Sequence, residues 1–332
     1  MNNSIMAKEA AESPSVIERQ IQSNLAIFQN VGEEIRQFDP QLVYIVGRGS
    51  SDHAGVFAKY LIEIELGIPV SSSAPSVTSI FKRHLQLKNA LVIVISQSGR
   101  SPDILQQTEY AKQSGALCLA LVNDESSPLA DLVDYVVPLK AGEEKAVAAT
   151  KSFIATLSAV TQLVAHWKQD QALLDALEHL PNKMRESIES ENQLTTPYVG
   201  KLAHCVVLGR SLGYAISREI ALKLKEVCGI HAEAFSSAEF LHGPVTLVEK
   251  NLAIIDVTVK DESFESHRDQ IEEVAQRGAE LCHLTETTTD LHPRLAPLTL
   301  LQRFYLDIEN IAQELGFDPD NPVGLRKVTK TL

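Results

Sequence analysis

Lys223 and Glu226 stand three residues apart in the stretch "EIALKLKEVCGIHAEAF", with Glu219 four residues before the lysine. On a helix this spacing puts the three side chains on one face, about a turn apart. Taken alone, it describes a solvated salt-bridge face. Ala221, Leu222 and Leu224 crowd the charges, however, and a partly buried glutamate beside a lysine suits proton transfer next to a carbonyl. A second stretch, "LVIVISQSGRSPDIL" at residues 91–105, gathers Ser96, Gln97, Ser98 and Ser101 around Gly99. Ser101, Pro102 and Asp103 read as a helix N-cap, a proline at the first helical position and a first-turn acid. Bare N–H groups in such a turn, with serine donors beside them and the positive end of a helix behind, offer a seat for an anion such as phosphate. The plainer alternative is that the serines only cap a βα turn. His242, before Gly243-Pro244, is either a proton shuttle in a loop or a surface residue. Lys327, in the closing "NPVGLRKVTKTL", reads by default as a solubilising side chain of a frayed tail.

The elements that must hold these groups recur along the chain. Residues 42–70, "LVYIVGRGSSDHAGVFAKYLIEIELGIPV", spell a buried strand, a glycine and serine turn and a helix, stopped by Gly67 and Pro69. Residues 204–226, "HCVVLGRSLGYAISREIALKLKE", repeat that order, with Gly209-Arg210 answering Gly47-Arg48. Between them lie the strand and helix of 91–105, the strands "GALCLALVN" and "DYVVPL", and a long helix over about 148–167. The second half continues with "LAIIDVTV", the helical "HRDQIEEVAQRGAELC" and the amphipathic "LTLLQRFYLDIENIAQELGF". Strands alternating with helices at this spacing predict an α/β protein of parallel sheets with helices on both faces. The polar segment from Pro181 to Tyr198 marks the expected boundary, which gives an N-terminal helical segment at 1–40, a first domain at 41–185 and a second at 186–332. Ligands of open parallel sheets bind beyond the carboxyl ends of the strands, so the turns after Gly47 and Ser96 are expected to line one crevice, and that favours phosphate. "GRGSSD" lacks the third glycine of a dinucleotide fingerprint and no Walker lysine follows, so no nucleotide cofactor is predicted.

The net charge of −13 over 332 residues opposes a broad grip on nucleic acid or on an anionic membrane. No apolar run approaches the roughly 20 residues of a membrane helix, and the N-terminus has no secretory core, so a cytoplasmic protein is expected. Cys118, Cys205, Cys228 and Cys282 are scattered. Neither a disulfide framework nor a metal site follows, since Cys228 and His231 lack a second pair of ligands.

The motifs "GRGSSDHAG", "SQSGRSPD", "VAATKSF", "ALKLKE", "HAEAFSSAEFLHGP" and "GLRKVT", in this order from Leu42 onward, resemble the isomerase half of glucosamine-6-phosphate synthase, which is built of two sugar isomerase domains. By that resemblance Ser50, Ser51, Ser96, Gln97, Ser98 and Ser101 cradle the phosphate and sugar oxygens of a sugar phosphate. Glu226 is implied to be the acid/base between C1 and C2, with Lys223 beside it. His242 is implied to open the sugar ring from a neighbouring subunit of a homodimer, and Lys327 to reach the open-chain sugar.

Some residues depart from the family pattern. Arg48 and Arg326 replace small residues, and Ala149 stands where a hydroxyl is usual. About forty residues precede the first strand, so the expectation is that this chain takes no nitrogen from glutamine. The same proton chemistry then runs in reverse, and the resemblance implies a glucosamine-6-phosphate deaminase that needs neither metal nor nucleotide. The rival readings are a fructosamine-6-phosphate deglycase, a galactosamine-6-phosphate deaminase and a non-catalytic sugar-phosphate sensor. The presence of Glu226, His242 and Lys327 together favours catalysis over the sensor.

Overall fold

The computed structural model describes residues 4–250, 252–325 and 327. Ser4 caps α1 (Ile5–Ala11), its Oγ accepting from the Ala7 N–H at 2.9 Å, and α2 (Ser13–Phe38) follows. Then come β1 (Leu42–Val46), α3 (Ser50–Leu66), β2 (Val70–Ser72), α4 (Pro75–Ser79), β3 (Ala90–Ser96), α5 (Pro102–Gln113), β4 (Leu117–Val122), α6 (Pro128–Leu132) and β5 (Tyr135–Pro138). Their strands form a parallel sheet in the order β2-β1-β3-β4-β5. β3 lies at its centre and is buried along its whole length, as its continuous apolar run predicts for a strand covered on both faces.

α7 (Lys151–Lys168), α8 (Gln171–Glu189) and α9 (Thr196–Val199) lead to the second series. It comprises β6 (His204–Gly209), α10 (Leu212–Cys228), β7 (His231–Ser236), α11 (Ser237–Leu241), a 3-10 turn (Pro244–Lys250), β8 (Ala253–Val257), α12 (Phe264–Gln276), β9 (Glu280–Leu284) and α13 (Ala296–Glu314). This sheet is also parallel, in the order β7-β6-β8-β9. The α/β expectation therefore holds, with a sheet in each half. Pro181, expected to punctuate the chain, sits inside α8. A proline costs a helix one internal hydrogen bond, but the buried stripe Leu173, Leu177, Leu180 and Met184 keeps the helix going past it.

By compactness the chain divides into two units. One, around the first sheet, is made of Ser15–Glu143 and Ser152–His179. The other, around the second sheet, takes the chain through Pro14, the loop Glu144–Lys151 and Leu180–Lys327. Cys118, Cys205 and Cys228 are buried, and burial pushes their thiols up to about 12, so they act as apolar filling rather than as nucleophiles.

The second-sheet unit holds a buried polar chain. Asp256 of β8 meets His267 Nε2 at 2.7 Å through Oδ1, and His283 Nδ1 at 2.8 Å and Thr258 Oγ1 at 2.9 Å through Oδ2. His267 Nδ1 lies 2.9 Å from Ser237 Oγ, which donates to Gln270 Oε1. Burial alone would raise the Asp256 carboxyl, but the hydrogen bond and charge of His267, joined by His283 and Thr258, hold it below the ordinary 3.8. A carboxyl lowered on folding adds stability that is complete above its unfolded value and is lost as pH falls through its folded value. In urea titrations below about pH 4, wild-type stability is therefore expected to fall more steeply than that of Asp256→Asn. Parallel curves would show that Asp256 carries no such linkage.

Candidate functional site

In the first-sheet unit, β1 and β3 are neighbours, paired from Leu42↔Ala90 to Val46↔Val94. The strand order reverses between them, since β1 continues to β2 on one side and β3 to β4 on the other. Such a switch point opens a crevice at the carboxyl ends of the strands, and the turns leading to α3 and α5 both start there. Gly49, with φ +54°, is the N-cap of α3. Ser50 and Ser51 form that helix's first turn, and a Cβ on Gly47 would come within 2.9 Å of the Ser51 backbone. The glycines thus let the helix end close down on the strand end.

The second turn follows the predicted caps. Ser101 is the N-cap of α5 and Pro102 its first residue, and the Ser101 side chain caps no backbone N–H. Ser96 Oγ accepts from the Gly99 N–H at 3.0 Å, and Ser98 Oγ from the Arg100 N–H at 3.4 Å. Gly99 has φ +61°, and a Cβ there would overlap the Ser127 side chain, so no other residue fits. The Gln97 carbonyl accepts from the N–H groups of Asn123 and Asp124, which pins this turn to the one after β4. Arg48 joins the two serine turns: its Nε and Nη2 lie 2.8 Å and 2.7 Å from Oδ2 of the buried Asp103. The Arg48 departure therefore has a structural partner on α5. Two helix N-termini, with Ser50 and Ser51 in the first turn of α3 and Ser96, Ser98 and Ser101 just before α5, can hold a phosphate by backbone N–H and O–H donation.

In the second-sheet unit, α10 starts behind Ser211, whose φ +51° and ψ −124° nearly match the φ +54° and ψ −128° of Gly49. The repeat noticed in the sequence thus extends to backbone geometry. Gly229, at φ +65°, ends α10 in a left-handed cap. Along this helix Lys223 Nζ lies 3.0 Å from Glu219 Oε1 and 2.6 Å from Glu226 Oε2. The solvated face that spacing alone suggests is not found. The Lys223 and Glu219 side chains are 1% and 0% exposed, while Glu226 keeps 18% and is the member of the trio open to a ligand. Burial works against the Lys223 charge, but the carboxylates of Glu219 and Glu226 outweigh it and hold the ammonium above its ordinary value.

The structure adds residues that the sequence reading missed. Tyr305 of α13 is fully buried, and its hydroxyl donates to Glu219 Oε1 at 3.4 Å. Burial first, then the charges of Glu219, Glu144 and Glu226, raise this phenol well above its ordinary value and keep it neutral. Glu144 Oε1 accepts from the Thr150 N–H at 3.0 Å, and its Oε2 lies 3.5 Å from Lys327 Nζ. Lys327 also donates to the Ala146 carbonyl at 2.6 Å, so its ammonium is held by this loop rather than frayed. Lys223, Glu226, Lys327 and the missed Glu144 and Tyr305 thus all belong to one compact unit. The signal for Glu144 and Tyr305 was weak, because each meets its partner only through distant chain segments. His242 is exposed at the C-cap of α11, its N–H donating to the Glu239 carbonyl at 3.1 Å. Arg326 lies outside the described residues.

Among the described residues, no group of three or more His, Cys, Asp or Glu side chains is placed to hold a metal ion. No helix among them is long and apolar enough to cross a membrane.

The profile of the SIS domain matches residues 38–166 and 201–302. The glutamine–fructose-6-phosphate aminotransferase (isomerizing) of Sulfurisphaera tokodaii is 31% identical over 337 residues, which covers 97% of this chain and 56% of that protein. The chain thus spans little more than half the length of the curated relatives it matches. Among solved structures, a candidate phosphosugar isomerase from Silicibacter pomeroyi superposes with a TM-score of 0.89 at 36% identity, covering 96% of this chain and all of that one. A glucosamine-6-phosphate deaminase from Thermotoga maritima shares the fold, with a TM-score of 0.77 at 23% identity over 99% of this chain and 100% of its own.

Proposed function

The chain belongs to the SIS domain family, and on that premise we propose that it converts glucosamine 6-phosphate and water to fructose 6-phosphate and ammonia. The observation that carries this reading is the state of Glu226. Its carboxylate is held by a buried cation, Lys223, and it alone of the α10 trio keeps an exposed edge. A carboxylate so placed can take a proton from one carbon and return it to the next.

The serine turns around Ser50, Ser51, Ser96, Gln97, Ser98 and Ser101 hold the phosphate and the sugar oxygens. His242, supplied by a second copy of the chain, moves the proton that opens the ring and frees the C1 aldehyde. Glu226 removes the C2 proton, which is acidified by that aldehyde, and an enolamine forms. The same carboxyl returns the proton to C1, leaving an imine at C2. Water adds to this imine, and ammonia leaves as the C2 ketone forms. Lys223 Nζ, 2.6 Å from Glu226 Oε2, fixes the position of that carboxylate. Lys327, held by Glu144 and the Ala146 carbonyl, offers its ammonium to the hydroxyls of the open chain.

The test is product release by purified protein. Ammonia and fructose 6-phosphate are expected in equal amounts from glucosamine 6-phosphate. Release of neither product, with cleavage of fructosamine 6-phosphates instead, would identify a deglycase.

A further inference from the structure

We propose that Glu9 is a positioning residue for Lys327, acting through the loop of residues 144–150. Its effect on turnover rests on the deaminase reading; its effect on the lysine does not. Glu9 lies on α1, 318 residues before Lys327, and is only 5% exposed. Both of its carboxylate oxygens are engaged: Oε1 accepts from the Lys145 N–H, and Oε2 accepts from the Ala146 N–H at 3.1 Å. The carbonyl of the same Ala146 accepts from Lys327 Nζ at 2.6 Å, and the neighbouring Glu144 faces that ammonium. One residue of backbone therefore separates the Glu9 carboxylate from the point where Lys327 is held.

The surroundings show a clamp rather than a single contact. Glu12, one turn further along, pairs with Lys151 Nζ at 2.6 Å and fixes the other end of the loop. Asp320, just before the tail, accepts from the Ile5 and Met6 N–H groups at 2.9 Å and 2.8 Å, while its carbonyl accepts from the Val147 N–H at 3.1 Å. Gln302 of α13 donates to the Ala10 carbonyl at 2.9 Å. α1 thus ties the loop and the tail segment together.

The choice of a carboxylate is informative. Burial raises the Glu9 carboxyl, and the nearby Glu144 charge adds to that, against the N–H groups of Lys145 and Ala146 and the charge of Lys151. A packing role alone would be met better by an apolar residue. Here each N–H donor meets its own oxygen, which a carboxylate provides and an amide does not.

The experiment uses Glu9→Gln, which keeps the shape but turns an NH2 toward one of the two N–H donors, and Glu9→Ala, which removes both acceptors. Limited acetylation with acetic anhydride, followed by mass spectrometry, reads the accessibility of Lys327 against the other lysines. Steady-state kinetics on glucosamine 6-phosphate gives kcat and KM. In Glu9→Gln, acetylation of Lys327 alone is expected to rise about tenfold and kcat to fall about 10- to 100-fold, with KM changed less than about twofold. Glu9→Ala is expected to show a larger change of the same kind. Unchanged Lys327 labelling in folded Glu9→Gln overturns the proposal, and so does raised labelling with an unchanged kcat. Wild-type protein that turns over no amino sugar phosphate would refute the deaminase reading, and the labelling would still decide whether Glu9 places Lys327.

Discussion

Glu226→Gln is expected to lower kcat for glucosamine 6-phosphate by about three orders of magnitude, because the amide can neither take the C2 proton nor return it to C1. KM should change little, since the variant keeps the size of the side chain and leaves the residues proposed to hold the phosphate unaltered. The fold should survive, because Lys223 keeps Glu219 as its partner at 3.0 Å. Steady-state kinetics beside a urea titration separates these effects. A variant that retains most of its activity would remove Glu226 from the chemistry.

Lys223→Met carries the largest expected cost in stability. Lys223 is 1% exposed and is the cation between two carboxylates, one of them wholly buried. Its removal takes from the buried Glu219 the ammonium that lies 3.0 Å from its Oε1. Breaking a buried ionic network by deleting one partner costs about 3–5 kcal/mol. The sign of the pH dependence follows from the same geometry. With the lysine gone, burial raises the carboxyl above its unfolded value, so the variant should be least impaired in mild acid and lose further stability as pH rises. Adding Glu219→Gln should recover part of the loss, a coupling that urea midpoints of the single and double variants would read. Equal losses at all pH values, or strict additivity, would contradict the buried network.

How far the sequence foretold this arrangement depended on the range of the interactions. The Leu91–Ile95 run declared a central strand because burial on both faces leaves no place for polar residues. Ser101-Pro102 declared a helix start because capping is a local matter of the backbone. The Gly-Arg turns at Gly47 and Gly209 announced a repeated unit, and Gly49 and Ser211 adopt nearly the same dihedral angles. Whether the α10 charges face water or protein was not decided by their spacing. That depends on α13, whose Tyr305 lies 86 residues from Glu219. Glu144 and Glu9 were missed for the same reason, since Lys327 meets Glu144 across 183 residues and Glu9 meets Lys145 across 136. Pro181 lies inside α8, where the buried apolar stripe carries the helix past it, one residue beyond the division between His179 and Leu180.

The central claim is that one carboxylate, Glu226, carries a proton from C2 to C1 before ammonia leaves. The most direct measurement uses glucosamine 6-phosphate deuterated at C2, with the fructose 6-phosphate formed in single turnover analysed for deuterium at C1. The account predicts ammonia release with part of the deuterium found at C1, the remainder lost to solvent, and neither event in Glu226→Gln. Ammonia released at the wild-type rate by Glu226→Gln, or ammonia released with the deuterium still at C2 of an aldose phosphate, would contradict it.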